Sequence, residues 1–363
     1  MKCTISKESL LKTAQIVQNA INPKTNLPIL SNILIDAEQD QIVFTATDLD
    51  IGIITELPLK PSILGSITIP AKKFLDVIKE LPNNDISLSV KKNNIVNIDC
   101  NTTSLKIMGL SKDEFPQLPQ FKDKDFVIIP QKQLKLILSM TSFAMSNDET
   151  RYVLNGVLFI IKPSLLRLVA TDGRRLAIAS SPMQFPKIRE SEMIIPIKAI
   201  RELERMLTDE GEIKIFFGKN QVSFDFGSTK ILSRIIEGEF PKYEPVVPKE
   251  LKDKVSVPRE AFLSAMKRAN LFTSQDSMAV KVDLSRDLMV VSKSASYIGE
   301  MREELPVEYK GKELSIGFNP VYLIDVLKVV TGDTVSFEVS DPDKPAVFRL
   351  GGDYTYVVLP MQL

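Results

Sequence analysis

The chain alternates short apolar stretches with longer segments of helical period. Cys3-Thr4-Ile5-Ser6 leads into residues 7–20, where Leu10, Ala14, Val17 and Ile21 recur at i, i+4, i+7 and i+11. That spacing predicts a helix laying one apolar stripe on a core. The same order returns twice, as Val127-Ile128-Ile129-Pro130 before 131–146 and Val255-Ser256-Val257-Pro258 before 259–272. A second block behaves alike. Ser66-Ile67-Thr68-Ile69-Pro70 precedes 71–80, Met193-Ile194-Ile195-Pro196 precedes 197–207, and Leu314-Ser315-Ile316-Gly317-Phe318-Asn319 precedes 320–330. Ser6 is placed to cap its helix, and Pro130 and Pro258 fall at or near a first turn.

Between the helices lie strand pairs: 32–36 with 42–47, 155–161 with 166–171, and 280–284 with 288–292. Pro130 and Pro258 stand 128 residues apart, Pro70 and Pro196 stand 126 apart, and Glu114-Phe115-Pro116 recurs 125 residues on as Glu239-Phe240-Pro241. Such near-constant spacing in order indicates three tandem copies of one α+β unit with two helices each. The expected boundaries are 1–120, 125–247 and 253–363. The connectors at 120–124 and 248–254 are rich in proline and lysine, as exposed linkers tend to be.

Length agrees, because 363 residues exceed one ordinary core. The chain has no histidine and two cysteines, Cys3 and Cys100. Ser-His-Asp and Cys-His catalysis are thereby excluded, as are imidazole metal sites. The cysteines read as reduced structural thiols. No glycine-rich phosphate loop occurs, and no metal or other cofactor is expected. The first eight residues lack the apolar core of a signal peptide and no apolar run is long enough for a bilayer, so a cytoplasmic protein is expected.

Charge sharpens the picture. Lys+Arg and Asp+Glu balance at 46 each, yet the six helical segments together carry +7. A neutral chain with its basic charge gathered on repeated helices can bind phosphates there. No helix offers an Arg/Asn/Gln face suited to base edges, aromatics are 7% and tryptophan is absent. The expected ligand is duplex nucleic acid, bound without sequence preference and sensitive to salt. Two other readings stand beside this one. One is a carboxylate hydrolase using Asp48 and Asp172, although their equivalent repeat positions favour a turn role. The other is a repeat-built scaffold that never meets DNA.

Several motifs occur in order over the full length: Leu27-Pro28-Ile29-Leu30, Arg151-Tyr152-Val153-Leu154-Asn155-Gly156, Ala170-Thr171-Asp172-Gly173-Arg174-Arg175-Leu176, Phe240-Pro241-Lys242-Tyr243, Gly317-Phe318-Asn319 and Tyr356-Val357-Val358-Leu359-Pro360-Met361-Gln362-Leu363. On these the chain resembles the bacterial DNA sliding clamps, the beta subunits of DNA polymerase III. The resemblance implies a head-to-tail homodimer closed into a ring, with sheets outside and helices inside around duplex DNA. It implies a peptide-binding cleft between the second and third copies, where the replicative polymerase, clamp loader and repair proteins dock short linear motifs. The matching positions are Leu154, Thr171, Gly173, Arg174, Arg175, Leu176, Pro241, Val246, Val357, Leu359, Pro360, Met361 and Leu363, with Asn319 and Tyr322 on a neighbouring subsite. DNA contact falls to Lys24, Arg151, Tyr152, Lys198 and Arg201. The ring contact falls to Lys73, Val77, Leu105, Leu271, Phe272, Glu300, Glu303 and Glu304. Arg174 stands where several relatives have histidine, Gln362 where many have arginine, and Pro245 where a basic residue is common. The apolar end, Leu359 to Leu363, is expected to form an exposed binding patch, with Met361–Leu363 dispensable for folding.

Overall fold

The computed structural model describes residues 1–119, 121, 126–185, 190–249, 251, 253–295 and 298–363. Apart from Phe121, the connector at 120–124 lies outside the described residues, as do residues 250 and 252 of the second connector.

Six α-helices form among the described residues, two per copy: α1 (Lys7–Gln18), α2 (Ala71–Glu80), α3 (Gln131–Ser139), α4 (Ile197–Met206), α5 (Arg259–Asn270) and α6 (Pro320–Val329). Ser6 caps α1 by accepting the Ser9 N–H, and Asn319 caps α6 by accepting the Val321 N–H at 3.0 Å. On α1 the expected stripe is buried at Leu10, Ala14 and Val17. α3 is shorter than the 131–146 helix expected. The Ser139 hydroxyl donates to the Leu136 carbonyl, and the Thr141 hydroxyl donates to those of Ile137 and Leu138. Side chains thus satisfy carbonyls at the end of the helix, and Ser142–Ala144 winds into a 3-10 turn instead.

The strands build four antiparallel sheets, and two of them are shared between copies. One eight-stranded sheet runs in the order Gly65–Pro70, Asn32–Ala37, Gln41–Thr47, Ile51–Pro58, Thr229–Arg234, Gln221–Asp225, Glu212–Phe217 and Phe126–Pro130. Its first four strands come from the first copy and its last four from the second. The other runs Ser191–Pro196, Gly156–Lys162, Leu165–Thr171, Arg175–Pro182, Tyr354–Val358, Ala346–Leu350, Thr334–Val339 and Asp253–Pro258. It joins the rest of the second copy to part of the third.

The second copy is therefore divided. Two compact units result, Met1–Lys132 with Arg201–Ile235, and Gln133–Ile200 with Ile236–Leu363. A four-stranded sheet completes each unit. In the first it runs Lys2–Ser6, Asp85–Val90, Ile95–Cys100, Thr103–Met108; in the second, Gly299–Pro306, Leu288–Ala295, Val280–Ser285, Leu314–Phe318. Cys3 and Cys100 are buried and free in the first of these, with burial pushing the Cys3 thiol up to about 11.

The two junctions superpose strand for strand. Gly52 pairs with Leu232 at the first, and Leu176 pairs with Val357 at the second. The turns before them match in their hydrogen bonds. Thr47 Oγ1 donates to the Ile51 carbonyl and accepts the Leu49 N–H, while Asp48 Oδ1 accepts the N–H groups of Asp50 and Ile51. Thr171 and Asp172 do the same for Arg175, Gly173 and Arg174. Asp48 and Asp172 thus hold backbone turns, which leaves the hydrolase reading without its carboxylates. The turn needs a left-handed residue. Gly173 supplies it at φ +85°, but Leu49 adopts φ +79° with its side chain 47% exposed. Leu49→Gly relieves about 1–2 kcal/mol of backbone strain against about 0.4–1 kcal/mol of added chain entropy in the unfolded state. A slightly raised melting temperature is expected in calorimetry, and a lowered one contradicts this view of the turn.

Candidate functional site

All the residues assigned to the peptide cleft lie in the second unit. Its sheet carries a buried apolar cluster of Leu158, Ile160, Val169, Leu176, Ile194, Tyr243, Val347 and Val357, with Val153, Phe240 and Val247 packed against it. Pairing places Asp36, Thr45, Gly52, Thr68 and Ser223 of the first unit at positions corresponding to Ile160, Val169, Leu176, Ile194 and Val347. There, Leu118 lies over Gly52, and a cavity of about 620 Å³ is lined by Asp36, Thr45, Lys112 and Asp113 among others. At these five positions the second junction is apolar where the first is polar or small, while the first cavity is lined also by Leu34, Ile54, Phe115, Pro116 and Leu118.

Leu154, Leu176 and Val357 are buried, so they form the apolar floor of the second junction. Val246 at 51%, Leu359 at 36% and Leu363 at 66% exposure present the accessible apolar surface, with Pro360 and Met361 half-buried and Pro241 exposed. The C-terminal residues are tied down. Leu359 N–H donates to the Arg174 carbonyl at 2.9 Å and Met361 N–H to the Gly317 carbonyl at 2.8 Å. The Gly317–Met361 bridge has counterparts in Thr68–Leu110 and Ile194–Ile236. Met361 therefore closes the third copy as Leu110 and Ile236 close the others.

On the neighbouring subsite, Asn319 spends its side-chain oxygen on capping α6 and places Nδ2 3.9 Å from Met278 Sδ. The Met278 loop is pinned by Lys293, a buried lysine whose ammonium donates to Ser277 Oγ and the Ala279 carbonyl; burial lowers its pKa. Tyr322 is half-buried. Burial, then Asp172, raises its phenol above the ordinary value, while Arg175 and Arg174 work against the shift, the latter also by a hydrogen bond. Sequence reasoning missed Met278 and Lys293.

Arg175 is the most engaged member of the set. Its side chain is 9% exposed, with Nε 3.0 Å from Asp172 Oδ2 and Nη1 2.7 Å from Asp325 Oδ2. Nη2 donates to the Phe143 carbonyl at 2.5 Å, and the guanidinium lies 4.5 Å from the Tyr322 ring centre. Burial opposes its charge, but Tyr356, Asp325 and Asp172 outweigh that and raise its pKa. Asp325 is the sole acid on α6, whose one other charge is Lys328 in the last turn, a signal the sequence carried.

The positions assigned to DNA are dispersed. Lys24 is exposed before the 3-10 turn Pro28–Ser31, while α4 carries exposed Arg201 and half-buried Lys198. Tyr152 is 57% exposed. Arg151 Nη1 would lie 2.7 Å from a methyl on Gly173, which puts it at the cleft rim. At the ring positions, Leu271 is 73% exposed, Phe272 lies against Gly299, Lys73 is exposed, and Val77 and Leu105 are half-buried. Glu300 is exposed. Glu303 is held by Arg268 at 2.5 Å, and Glu304 pairs with Arg302 at 2.6 Å.

Comparison with known proteins agrees with this architecture. Family models of the DNA polymerase III beta subunit match in order: the N-terminal domain at 1–119, the central domain at 128–242 and the C-terminal domain at 244–362. A beta sliding clamp of Chlamydia pneumoniae is 32% identical over 363 residues, covering 100% of this chain and 99% of that protein. One from Pseudomonas aeruginosa is 34% identical over 368 residues, with 100% of both covered. The crystal structure of the Bacillus subtilis DNA polymerase sliding clamp aligns at a TM-score of 0.95 and 30% identity, over 100% of this chain and 99% of that one. The fold is that of a sliding clamp, three α+β domains in tandem. The chain belongs to the DNA polymerase III beta subunit family, and its function is that of a polymerase processivity clamp.

Proposed function

We propose that two copies close head to tail into a ring around duplex DNA, through functional segments 1–120, 125–247 and 253–363. The observation that carries this reading is a pair of unpaired sheet edges. Among the described residues, Thr103–Met108 ends one four-stranded sheet and Gly299–Pro306 ends the other. By the strand pairings, Thr103–Met108 corresponds to Thr229–Arg234, and Gly299–Pro306 corresponds to Ile51–Pro58 and Arg175–Pro182. These are the strands that pair at both internal junctions. A third junction between copies uses both of these edges. Register follows: Glu300 faces Lys106 of the second copy, as Gly52 faces Leu232 and Leu176 faces Val357.

The ring catalyses no reaction, requires no cofactor and works in the cytoplasm. Among the described residues no helix is long and apolar enough to cross a membrane. The helices as built still total +7, which suits weak phosphate contacts that slide. The replicative polymerase, clamp loader and repair proteins dock linear motifs in the second-unit cleft, with apolar anchors over Leu176 and Val357 and the polar rim fixing direction. The test is loading onto nicked circular duplex. Protein retained on the circle should be lost after linearisation. Lys24→Ala with Arg201→Ala should reduce the salt dependence of DNA contact by about 0.9 per phosphate contact removed. Equal retention on linear and circular DNA contradicts the ring.

A further inference from the structure

We propose that Arg175 is a positioning residue, a brace that holds the cleft in its binding shape, rather than a group that binds the partner peptide. This rests on the cleft reading above and concerns how that cleft is kept open. The guanidinium donates in three directions to three separate segments: Asp172 in the turn before its own strand, Asp325 on α6, and the Phe143 carbonyl in the 3-10 turn after α3. Its face stacks on Tyr322, also on α6. With these donors used and the side chain 9% exposed, little of the group remains for an incoming ligand.

The other copies show that the brace is local to this junction. Ile51 and Gly299 occupy the positions corresponding to Arg175. Glu202 of α4 occupies the position of Asp325, and it is engaged within its own helix by Arg205 at 2.7 and 2.8 Å. The junction with the apolar floor is thus the one cross-linked by a buried charge. The brace also reaches the rim directly. Asp172 Oδ1 accepts the Arg174 and Arg175 N–H groups while its Oδ2 accepts Arg175 Nε. The Arg174 carbonyl in turn anchors Leu359. Releasing the guanidinium loosens the turn, Tyr322 and the C-terminal segment together, so the binding groups lose their preorganised positions.

The experiment uses the full chain with Arg175→Met, Asp325→Asn and the double variant. It reads anisotropy of a labelled peptide carrying a glutamine and Leu/Phe anchors, alongside amide hydrogen exchange. The brace predicts that Asp325→Asn weakens the peptide at least tenfold, with the double variant no weaker than Arg175→Met. It also predicts that the Arg174 and Arg175 amides exchange at least tenfold faster in Asp325→Asn. Should Arg175→Met fail to fold, Asp325→Asn and Tyr322→Leu carry the same comparison. If Asp325→Asn binds the peptide as tightly as the unmodified chain while Arg175→Met does not, Arg175 is a direct ligand and the brace is overturned. Unchanged exchange at Arg174 and Arg175 in Asp325→Asn overturns it as well. That readout holds even if the unmodified chain binds no such peptide, a result that would sink the cleft reading instead.

Discussion

Replacing Leu271 and Phe272 together with alanine should leave folded monomers in place of the proposed dimer. Leu271 is 73% exposed in the isolated chain, at the end of α5, and Phe272 packs beside Gly299 where the free edge strand begins. An apolar pair left open beside an unpaired strand is a surface waiting to be covered. Burying a leucine and a phenylalanine side chain contributes about 1.5–3 kcal/mol each. A ring of two chains contains the junction twice, so the substitutions remove roughly 6–12 kcal/mol from one dimer, or at least about four orders of magnitude in its dissociation constant. The fold itself should survive, because Leu271 contributes little to the interior. Sedimentation at micromolar concentration should show one chain, and processivity should be lost; an intact dimer would place the ring contact elsewhere.

The second large effect concerns Gly317. A methyl added there would land well inside van der Waals contact distance of the Met361 carbonyl oxygen and 3.0 Å from Leu363 Cδ2. The first obstacle is backbone and cannot swing aside. Gly317→Val should therefore push Met361 off the strand Leu314–Phe318, breaking the bond from Met361 N–H to the Gly317 carbonyl. Overpacking of this kind costs about 1–3 kcal/mol, which for a chain of this size lowers the melting temperature by several degrees. Binding should suffer more than stability, because Leu359, Pro360 and Met361 leave the cleft wall together. Peptide anisotropy should show at least a thirtyfold loss while circular dichroism at 25 °C stays native. Unchanged peptide affinity would mean that the C-terminal segment is not part of the cleft.

Much of this architecture is legible in the residues. The strand–proline–helix order recurs because each copy needs the same helix start and the same apolar stripe, and those demands leave a periodic trace. The equivalence of Asp48 and Asp172 pointed to turns, and their bonds to backbone N–H groups bear that out. Other features leave no local trace. Nothing in Ile51–Pro58 or Thr229–Arg234 says that these strands pair across copies, since pairing depends on register between segments far apart in sequence. The early end of α3 turns on two hydroxyls, Ser139 and Thr141, whose competition with the backbone is invisible to a count of apolar periods. In the candidate site, the resemblance assigned Arg175 and Met361 to the cleft, and the geometry adds that both tie neighbouring segments together, Arg175 through Asp172 and Asp325 and Met361 through the Gly317 carbonyl. Asp325 carried a readable signal as a lone acid on an apolar helix, but only its distance to Arg175 gives that signal meaning.

The central claim is that a third junction, between copies, repeats the two junctions within the chain. Its most direct test is the register that this repetition dictates. A variant carrying Lys106→Cys and Glu300→Cys, oxidised in solution, should run as a covalent dimer on a non-reducing gel, because directly opposed residues on paired strands lie within disulfide reach. A control with Lys106→Cys and Glu304→Cys, four residues out of register, should remain monomeric on the same gel. No covalent dimer from the first pair, or equal cross-linking from both, would contradict the account.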